Sequence, residues 1–417
     1  MIATLMVQTP DVVKARITPS TGWLRRRLGR HTTSGEFIPV IDGLRFVALL
    51  PVVLLHVTTG LWVRDPETVN AAGFRLESVL PGQFGLQLFF VLSGFILGIP
   101  FARRLTGGPH VNLRRYFLRR LTRIEPPYLL SLTAFLIINP LFGYGTFQDL
   151  VPHYLSGLFY AHGLVYQQLN PVNEVAWSLE VEVQFYILMP LLGTVFLIGR
   201  TFVRRALLVG AIVAATGLAH ALTIGRPLNN EAGEPMALAF LSLPGHLNLF
   251  LLGVLIAELF VYDWDGKKPS AIGDVAAVTG LVALSLTEPA FGLERTLMVP
   301  ISCLLVVVGA LRGRFLPRVL ELPALFVIGG MCYSVYLLHF GIIRLIGDSI
   351  TGGVALSPPV VDFWVSTGVL TGLCFLAALV FYVLVERPCM LPDWPERLRG
   401  RLLPERQRGT RQVGRTR

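Results

Sequence analysis

The stretch Ile38–Val63, IPVIDGLRFVALLPVVLLHVTTGLWV, is long and apolar enough to cross a bilayer as one helix, yet it carries an arginine near one end and a histidine well inside. Arg45 and His56 are eleven residues apart. At about 100° per helical residue that is three turns plus roughly 20°, so the two groups share a face, about 16 Å apart along the axis. A charge and an imidazole on one stripe of an apolar helix are costly to hold in lipid and mark a site by default. The bland alternative is that Arg45 snorkels to the headgroups and His56 bonds to a neighbouring helix.

The rest of the chain repeats the pattern. Of its 417 residues 53% are hydrophobic and only 15% charged, whereas a soluble domain carries nearer a quarter charged. The apolar residues fall in runs of about twenty, near 38–62, 83–102, 124–142, 177–199, 206–224, 241–260, 271–289, 295–311, 322–344 and 361–384. The fold expected is an all-α, polytopic transmembrane bundle of about ten spans. Basic residues gather between alternate runs, so the net charge of +10 reads as positive-inside placement and not as nucleic-acid binding. Arg25, Arg26, Arg27 and Arg30 precede the first span, and no signal-peptide core is visible there. Both termini are then expected on the cytosolic side. The organisation expected is a cytosolic segment 1–37, one membrane domain 38–389 and a basic cytosolic tail 390–417, with the residues after Glu386 largely disordered. Cys303, Cys332, Cys374 and Cys389 lie in or beside apolar runs with no metal-ligand spacing and read as small hydrophobes.

Polar residues in four places carry chemical potential. In the second run, Gly85, Gly94 and Gly98 would permit close helix approach, which is packing and needs no function. Between the second and third runs, an inner loop holds Arg114, Arg115, Arg119, Arg120 and Arg123. That is more arginine than topology requires, and guanidinium groups suit a phosphorylated ligand as well as anionic lipid. The fourth run opens with Trp177, Glu180 and Glu182, two carboxylates about 200° apart on a helix, so that both cannot serve one site. A glutamate near an imidazole could orient it. In the ninth run Tyr336 and His339 are i,i+3 neighbours that could bind a polar substrate or donate to an oxyanion, or simply bond between helices.

These segments resemble the acyltransferase 3 family of integral-membrane O-acyltransferases over nearly all of residues 38–389. The resemblance rests on Ile41-Asp42-Gly43-Leu44-Arg45 with His56, and on Leu88-Phe89-Phe90-Val91-Leu92-Ser93-Gly94-Phe95. It continues through Arg119-Arg120-Leu121-Thr122-Arg123-Ile124 and through Trp177-Ser178-Leu179 with Glu182, Gln184, Phe185 and Tyr186. Phe250-Leu251-Leu252-Gly253, Tyr333-Ser334-Val335-Tyr336-Leu337-Leu338-His339 and Glu386-Arg387-Pro388 complete the series. The chain departs from the family at Gln87, where an acid is usual, and at Val183, where a second glutamate is usual, with Glu180 as a new acid.

The resemblance implies an enzyme that moves an acyl group, acetyl or short-chain, from acyl-CoA to a hydroxyl of a sugar, glycolipid or secondary metabolite in a bacterial cytoplasmic membrane. His56 would be the catalytic base with Arg45 on its stripe and Glu182, or Glu180 if the register favours it, orienting it. Arg114, Arg115, Arg119, Arg120 and Arg123 would hold the phosphates of CoA. Trp177, Glu180, Tyr336 and His339 would meet substrate. No tightly bound cofactor and no metal is expected; the partners are acyl-CoA, the hydroxyl acceptor and membrane lipid. The competing reading is a transporter or flippase for a lipid-linked sugar or small metabolite, which the same buried charges would serve; only the acyltransferase releases free CoA.

Overall fold

A bilayer offers the backbone no hydrogen-bond partner, so a chain of this composition must satisfy its N–H and C=O groups within helices. The computed structural model describes residues 28–30, 38–73, 83–223, 238–264, 268–287, 293–351, 358–391 and 394, and all regular structure among them is helical. Apart from the short helices Pro66–Ala71 and Leu316–Leu320, the main α-helices in chain order are α1 Pro39–Arg64, α2 Gln83–Ala102, α3 Leu113–Leu141, α4 Phe147–Leu158, α5 His162–Tyr166, α6 Ala176–Leu192, α7 Thr201–Thr223 and α8 Leu247–Tyr262. They continue as α9 Ala271–Leu286, α10 Leu293–Arg312, α11 Pro323–Gly330, α12 Cys332–Thr351 and α13 Pro359–Phe381.

Each of the ten apolar runs falls on a helix, but not all are of spanning length. Six helices are long and apolar enough to cross a membrane, and a seventh span results if the bent pair α11 and α12 counts as one. Apolar stretches Leu247–Tyr262, Ala271–Leu286 and Thr296–Arg312 are shorter. The ninth run is thus not one straight helix: it breaks between Gly330 and Cys332 with a 69° bend. Gly329 explains the break, since a Cβ there would fall on the Asp42 carbonyl, so α11 is pressed against the start of α1 before the chain turns. The basic stretch expected as a loop is helical as well. Asn112 caps α3 by accepting from Arg115 N at 2.9 Å, and the helix runs from Leu113 through Pro126 and Pro127 without interruption. Arginine is a good helix former, so the basic residues extend the span instead of breaking it. Residues 224–237, with the polar loop around Asn229 and Glu231, lie outside the described residues, as do 1–27, 31–37 and 395–417. Not all beyond Glu386 is without structure: Arg387–Cys389 is helical and Trp394 Nε1 donates to Thr122 O at 3.1 Å.

Glycines set how closely the central helices meet. A Cβ at Gly94 would fall on the Phe250 carbonyl, one at Gly253 on Val91 O, and one at Gly85 on Ala48 O. Helix α2 therefore lies backbone to backbone against both α8 and α1, as the small residues of the second run promised. Around this contact sits the largest core cluster, with Phe95, Phe185, Phe250 and Val254 all fully buried. A second charged device pins α7 to α8. Arg204, buried completely, pairs with Glu258 at 2.6 Å, while Arg205 bonds both Glu258 at 2.9 Å and Asp263 at 2.6 Å. At the far end of α1, Arg64 pairs with Asp348 at 2.6 Å, and Tyr144 OH donates to Arg344 O at 2.7 Å, joining α1, α12 and the turn after α3.

The segment between α3 and α6 carries its own small fold. Thr146 and Asp149 form a reciprocal cap on α4. His153 and His162 share a hydrogen bond of 2.8 Å between Nδ1 and Nε2, with Tyr166 packed on both rings. Burial, with the neighbouring His153, pushes the His162 imidazole down to about 4 from its ordinary 6.5. The unfolded segment then binds the proton more tightly than the folded one, so stability is retained above the ordinary histidine range and lost as pH falls from 6.5 towards about 4.

Two tests follow from the packing. Gly94→Ala is expected to cost about 1–3 kcal/mol, because neither facing backbone can give way. Gly217→Ala, where nothing lies within 4 Å, is the control; thermal unfolding in detergent should separate the two. Hydrogen exchange across 147–170, corrected for intrinsic rates, should show weaker protection at pH 5 than at pH 7. Equal protection would mean that the His153–His162 bond does not hold this segment.

Candidate active site

The polar stripe of α1 begins one turn before Arg45. Asp42, fully buried, accepts from Arg45 Nη1 at 2.6 Å and from Arg30 Nε at 2.9 Å. The sequence pattern singled out the arginine but not this carboxylate, although the i,i+3 spacing was there to be read. Arg30 belongs to the short segment 28–30, which is held across this end of the bundle by Tyr382 OH donating to Leu28 O at 3.0 Å and Arg387 Nε to Gly29 O at 3.3 Å.

The five arginines at the start of α3 divide by helical face. Tyr116, Arg120, Arg123 and Pro127 follow a 4-3-4 spacing, and that face turns to the bundle. The Arg120 guanidinium lies 3.8 Å above the Tyr116 ring and 5.5 Å from that of Tyr186. Arg123 lies within electrostatic range of Arg30 and Glu386. Arg114 and Arg115 are exposed, and Arg119, half-buried, neighbours Arg115.

Glu182 sits on the Arg120 side. Its Oε1 accepts from Ser93 Oγ at 2.5 Å, and Tyr186, one turn on, bonds its carboxylate. It makes no hydrogen bond to His56 among the described residues. Glu180 points elsewhere, as the 200° offset requires. Its Oε2 accepts from Gly163 N at 2.9 Å, tying α6 to the start of α5, while its Oε1 is buried without a hydrogen-bond partner among the described residues. Trp177 packs on Phe240 with ring centroids 4.3 Å apart and lies near His246 at 5.8 Å.

Helix α12 supplies the wall opposite α1. Tyr336 OH meets Ser178 Oγ at 3.0 Å and donates to Val175 O, so it fixes the start of α6. His339, fully buried, stands with its ring centroid 5.2 Å from that of His56, and Phe340 meets His56 edge-on at 5.3 Å. The donor nitrogen of His339 is spent on its own helix, since Nδ1 lies 2.9 Å from both Val335 O and Tyr336 O. The register of α12 is set by Ser334, whose N and Oγ donate to Glu386 Oε2 at 3.0 and 2.6 Å. Glu386 closes a π-helical turn, Tyr382–Glu386, at the end of α13. Such turns concentrate at functional sites. Asn173 Nδ2 adds a bond to Leu337 O at 3.0 Å.

The structure therefore brings His56, His339 and Phe340 together at one level, and Arg30, Asp42, Arg45 and Arg123 at another. It joins Arg120, Glu182, Ser93 and Tyr186 at a third. It leaves Arg114 and Arg115 on the outside. Asp42, Ser93, Tyr186 and Glu386 are the members that residue type alone did not single out. Ser93 and Tyr186 sit inside the recognised runs, but nothing in their spacing says which carboxylate they face.

Helix α1 thus carries an imidazole that makes no hydrogen bond among the described residues, about three turns from a paired arginine. The acyltransferase domain profile matches residues 38–384, and the chain belongs to that family, the acyltransferase 3 proteins. It is similar to the O-acetyltransferase OatA of Staphylococcus aureus, 24% identical over 336 residues, covering 76% of this chain and 52% of the relative. A putative acetyltransferase, ORF330 of Acidianus two-tailed virus, is 26% identical over 334 residues, covering 79% of this chain and 90% of that one. The peptidoglycan O-acetyltransferase OatA of Listeria monocytogenes is 25% identical over 200 residues, covering 45% of this chain and 29% of the relative. The chain spans about half the length of the Staphylococcus relative. No solved structure matches.

Asp42 gives the charge cluster its test. Removing it strands two guanidinium groups, whereas removing Arg45 leaves the Arg30–Asp42 pair intact. Breaking a buried pair by deleting one partner costs about 3–5 kcal/mol. Asp42→Ala is expected to lower the unfolding temperature in detergent more than Arg45→Ala does. The opposite order would show that the carboxylate is not what holds this end.

Proposed function

We propose that this chain is a membrane O-acyltransferase that moves an acetyl or other short acyl group from acyl-CoA to a hydroxyl on a sugar, glycolipid or secondary metabolite. The observation that carries the reading is the placement of His56. It lies on one stripe with Arg45, is walled by His339 and Phe340, and makes no hydrogen bond among the described residues. A purely structural histidine in lipid would spend both nitrogens on neighbouring helices; this one has a nitrogen to offer a ligand.

In the reaction, His56 takes the proton of the acceptor hydroxyl as its oxygen attacks the thioester carbonyl. The tetrahedral intermediate collapses with cleavage of the C–S bond, and the proton passes from His56 to the departing CoA thiolate. A dry bundle strengthens every dipole aimed at the developing oxyanion. Arg120 and Arg123, facing inward near Arg45, are the arginines best placed for the phosphates of CoA. Arg114, Arg115 and Arg119 lie at the rim, where they attract the donor or lipid headgroups. Glu182, held by Ser93, balances Arg120 in this reading and acts on His56 only through the site's field.

The setting proposed is the cytoplasmic membrane of a bacterium, with the Arg45 end and both termini in the cytosol and about ten passages, the three shorter apolar helices included. Acyl-CoA would then enter from the Arg120 end, and the acceptor would approach from the Arg64 end. The two OatA relatives are O-acetyltransferases by name, the Listeria protein acting on peptidoglycan; a cell-wall sugar hydroxyl is the acceptor to try first.

His56→Ala is expected to lower acyl-CoA turnover by about 10²- to 10⁴-fold while the protein still inserts and folds. Release of free CoA by purified variants, given acetyl-CoA and a defined acceptor, is the measurement. Near-native turnover by His56→Ala would remove His56 from the mechanism. A wild-type protein that moves a substrate across vesicles without releasing CoA would establish the transporter reading instead.

A further inference from the structure

His339 spends only one of its two ring nitrogens on its own helix. Its Nδ1 faces two backbone carbonyls, Val335 O and Tyr336 O, both at 2.9 Å. Carbonyl oxygens only accept, so the ring proton belongs on Nδ1 and the lone pair on Nε2. That Nε2 is buried and has no hydrogen-bond partner among the described residues. The ring beside it is His56, with centroids 5.2 Å apart and planes tilted by 50°. The same molecule supplies a scale for that relation. His153 and His162 stand 5.0 Å apart with a tilt of 51°, and they share an N···N hydrogen bond of 2.8 Å. The His56 and His339 rings stand at a similar separation and tilt, with no hydrogen bond between them in this structure, so that bond forms only when the His56 ring reorients. The carboxylate expected to play this part, Glu182, accepts from Ser93 and makes no hydrogen bond to His56 among the described residues.

We propose that His339 is the positioning residue for His56: its Nε2 accepts the N–H of the His56 imidazole. The other His56 nitrogen then presents its lone pair to the acceptor hydroxyl. The inference rests on the reading of His56 as the base in acyl transfer. The proton balance is simple. The hydroxyl proton goes to His56, the new C–O bond forms, the C–S bond breaks, and His56 returns the proton to the thiolate. His339 keeps its single proton on Nδ1 throughout. It holds the productive tautomer of His56 and accepts a stronger hydrogen bond when His56 becomes an imidazolium. A neutral acceptor suits this position, because a carboxylate buried beside an apolar ring such as Phe340 would itself need a cation. The fixed position comes from outside the ring: Ser334–Glu386 sets the register of α12, and Asn173 holds Leu337 O.

The test separates this inference from the one beneath it. His339→Leu removes the acceptor, and His339→Gln restores a carbonyl oxygen near the Nε2 position. Loss of a hydrogen bond to a charged group commonly costs about 10- to 100-fold. His339→Leu is therefore expected to lower kcat by that factor with KM for acetyl-CoA and for the acceptor unchanged, and His339→Gln to recover part of it. A folded His339→Leu protein with wild-type kcat overturns the inference, as does a Gln variant no better than Leu; if His56→Ala is inactive in the same assay, the reading of His56 stands regardless. Should neither variant fold, ¹⁵N spectra of histidine-labelled wild-type protein in lipid decide the matter. His339 must show a protonated Nδ1 and a bare, hydrogen-bonded Nε2, and a proton on its Nε2 overturns the proposal.

Discussion

One carboxylate holds the basic end of this bundle together. Asp42 is fully buried and binds two guanidinium groups, Arg45 from its own helix and Arg30 from the segment that precedes it. In an apolar bundle two guanidinium groups this close are costly to bury without a carboxylate between them. The same end collects Arg123 and Glu386, and Gly329 lets α11 rest on the Asp42 carbonyl. The start of α1, the bent pair α11–α12 and the end of α13 therefore converge on one charge-balanced knot. His56 and His339 are placed relative to each other because the helices that carry them leave that knot in fixed directions.

The fold class was legible because apolar runs of spanning length leave few alternatives, and every run did become helix. Length was less legible. A hydropathy pattern counts residues, but it does not show where a helix bends, so the ninth run read as one span although Gly329 and Gly330 break it. The basic stretch that opens α3 read as a loop because charge suggested water; arginine's helix propensity and the Asn112 cap decided otherwise.

Within the site, the stripe geometry of Arg45 and His56 followed from helical spacing alone, since both lie on one helix. Partnerships between helices did not. Glu182 looked like a support for His56 because both were polar residues in apolar runs, yet the register of α6 against α2 gives it to Ser93. The five arginines looked equivalent until the 4-3-4 spacing of Tyr116, Arg120, Arg123 and Pro127 was set against a packed face. His339 was visible as a polar residue. Its tautomer was not, because that depends on carbonyls of its own helix at 2.9 Å.

The 69° break between α11 and α12 has a consequence for how this chain tolerates change in length. In an unbroken helix one inserted residue turns everything beyond it by about 100°, which would carry His339 off the wall it shares with His56. Here the register of α12 is set locally, by the bonds from Ser334 to Glu386, and not by the helix that precedes it. A residue inserted at the bend itself, beside Met331, can therefore be taken up in the turn, leaving α11 on Asp42 and the two imidazoles in phase.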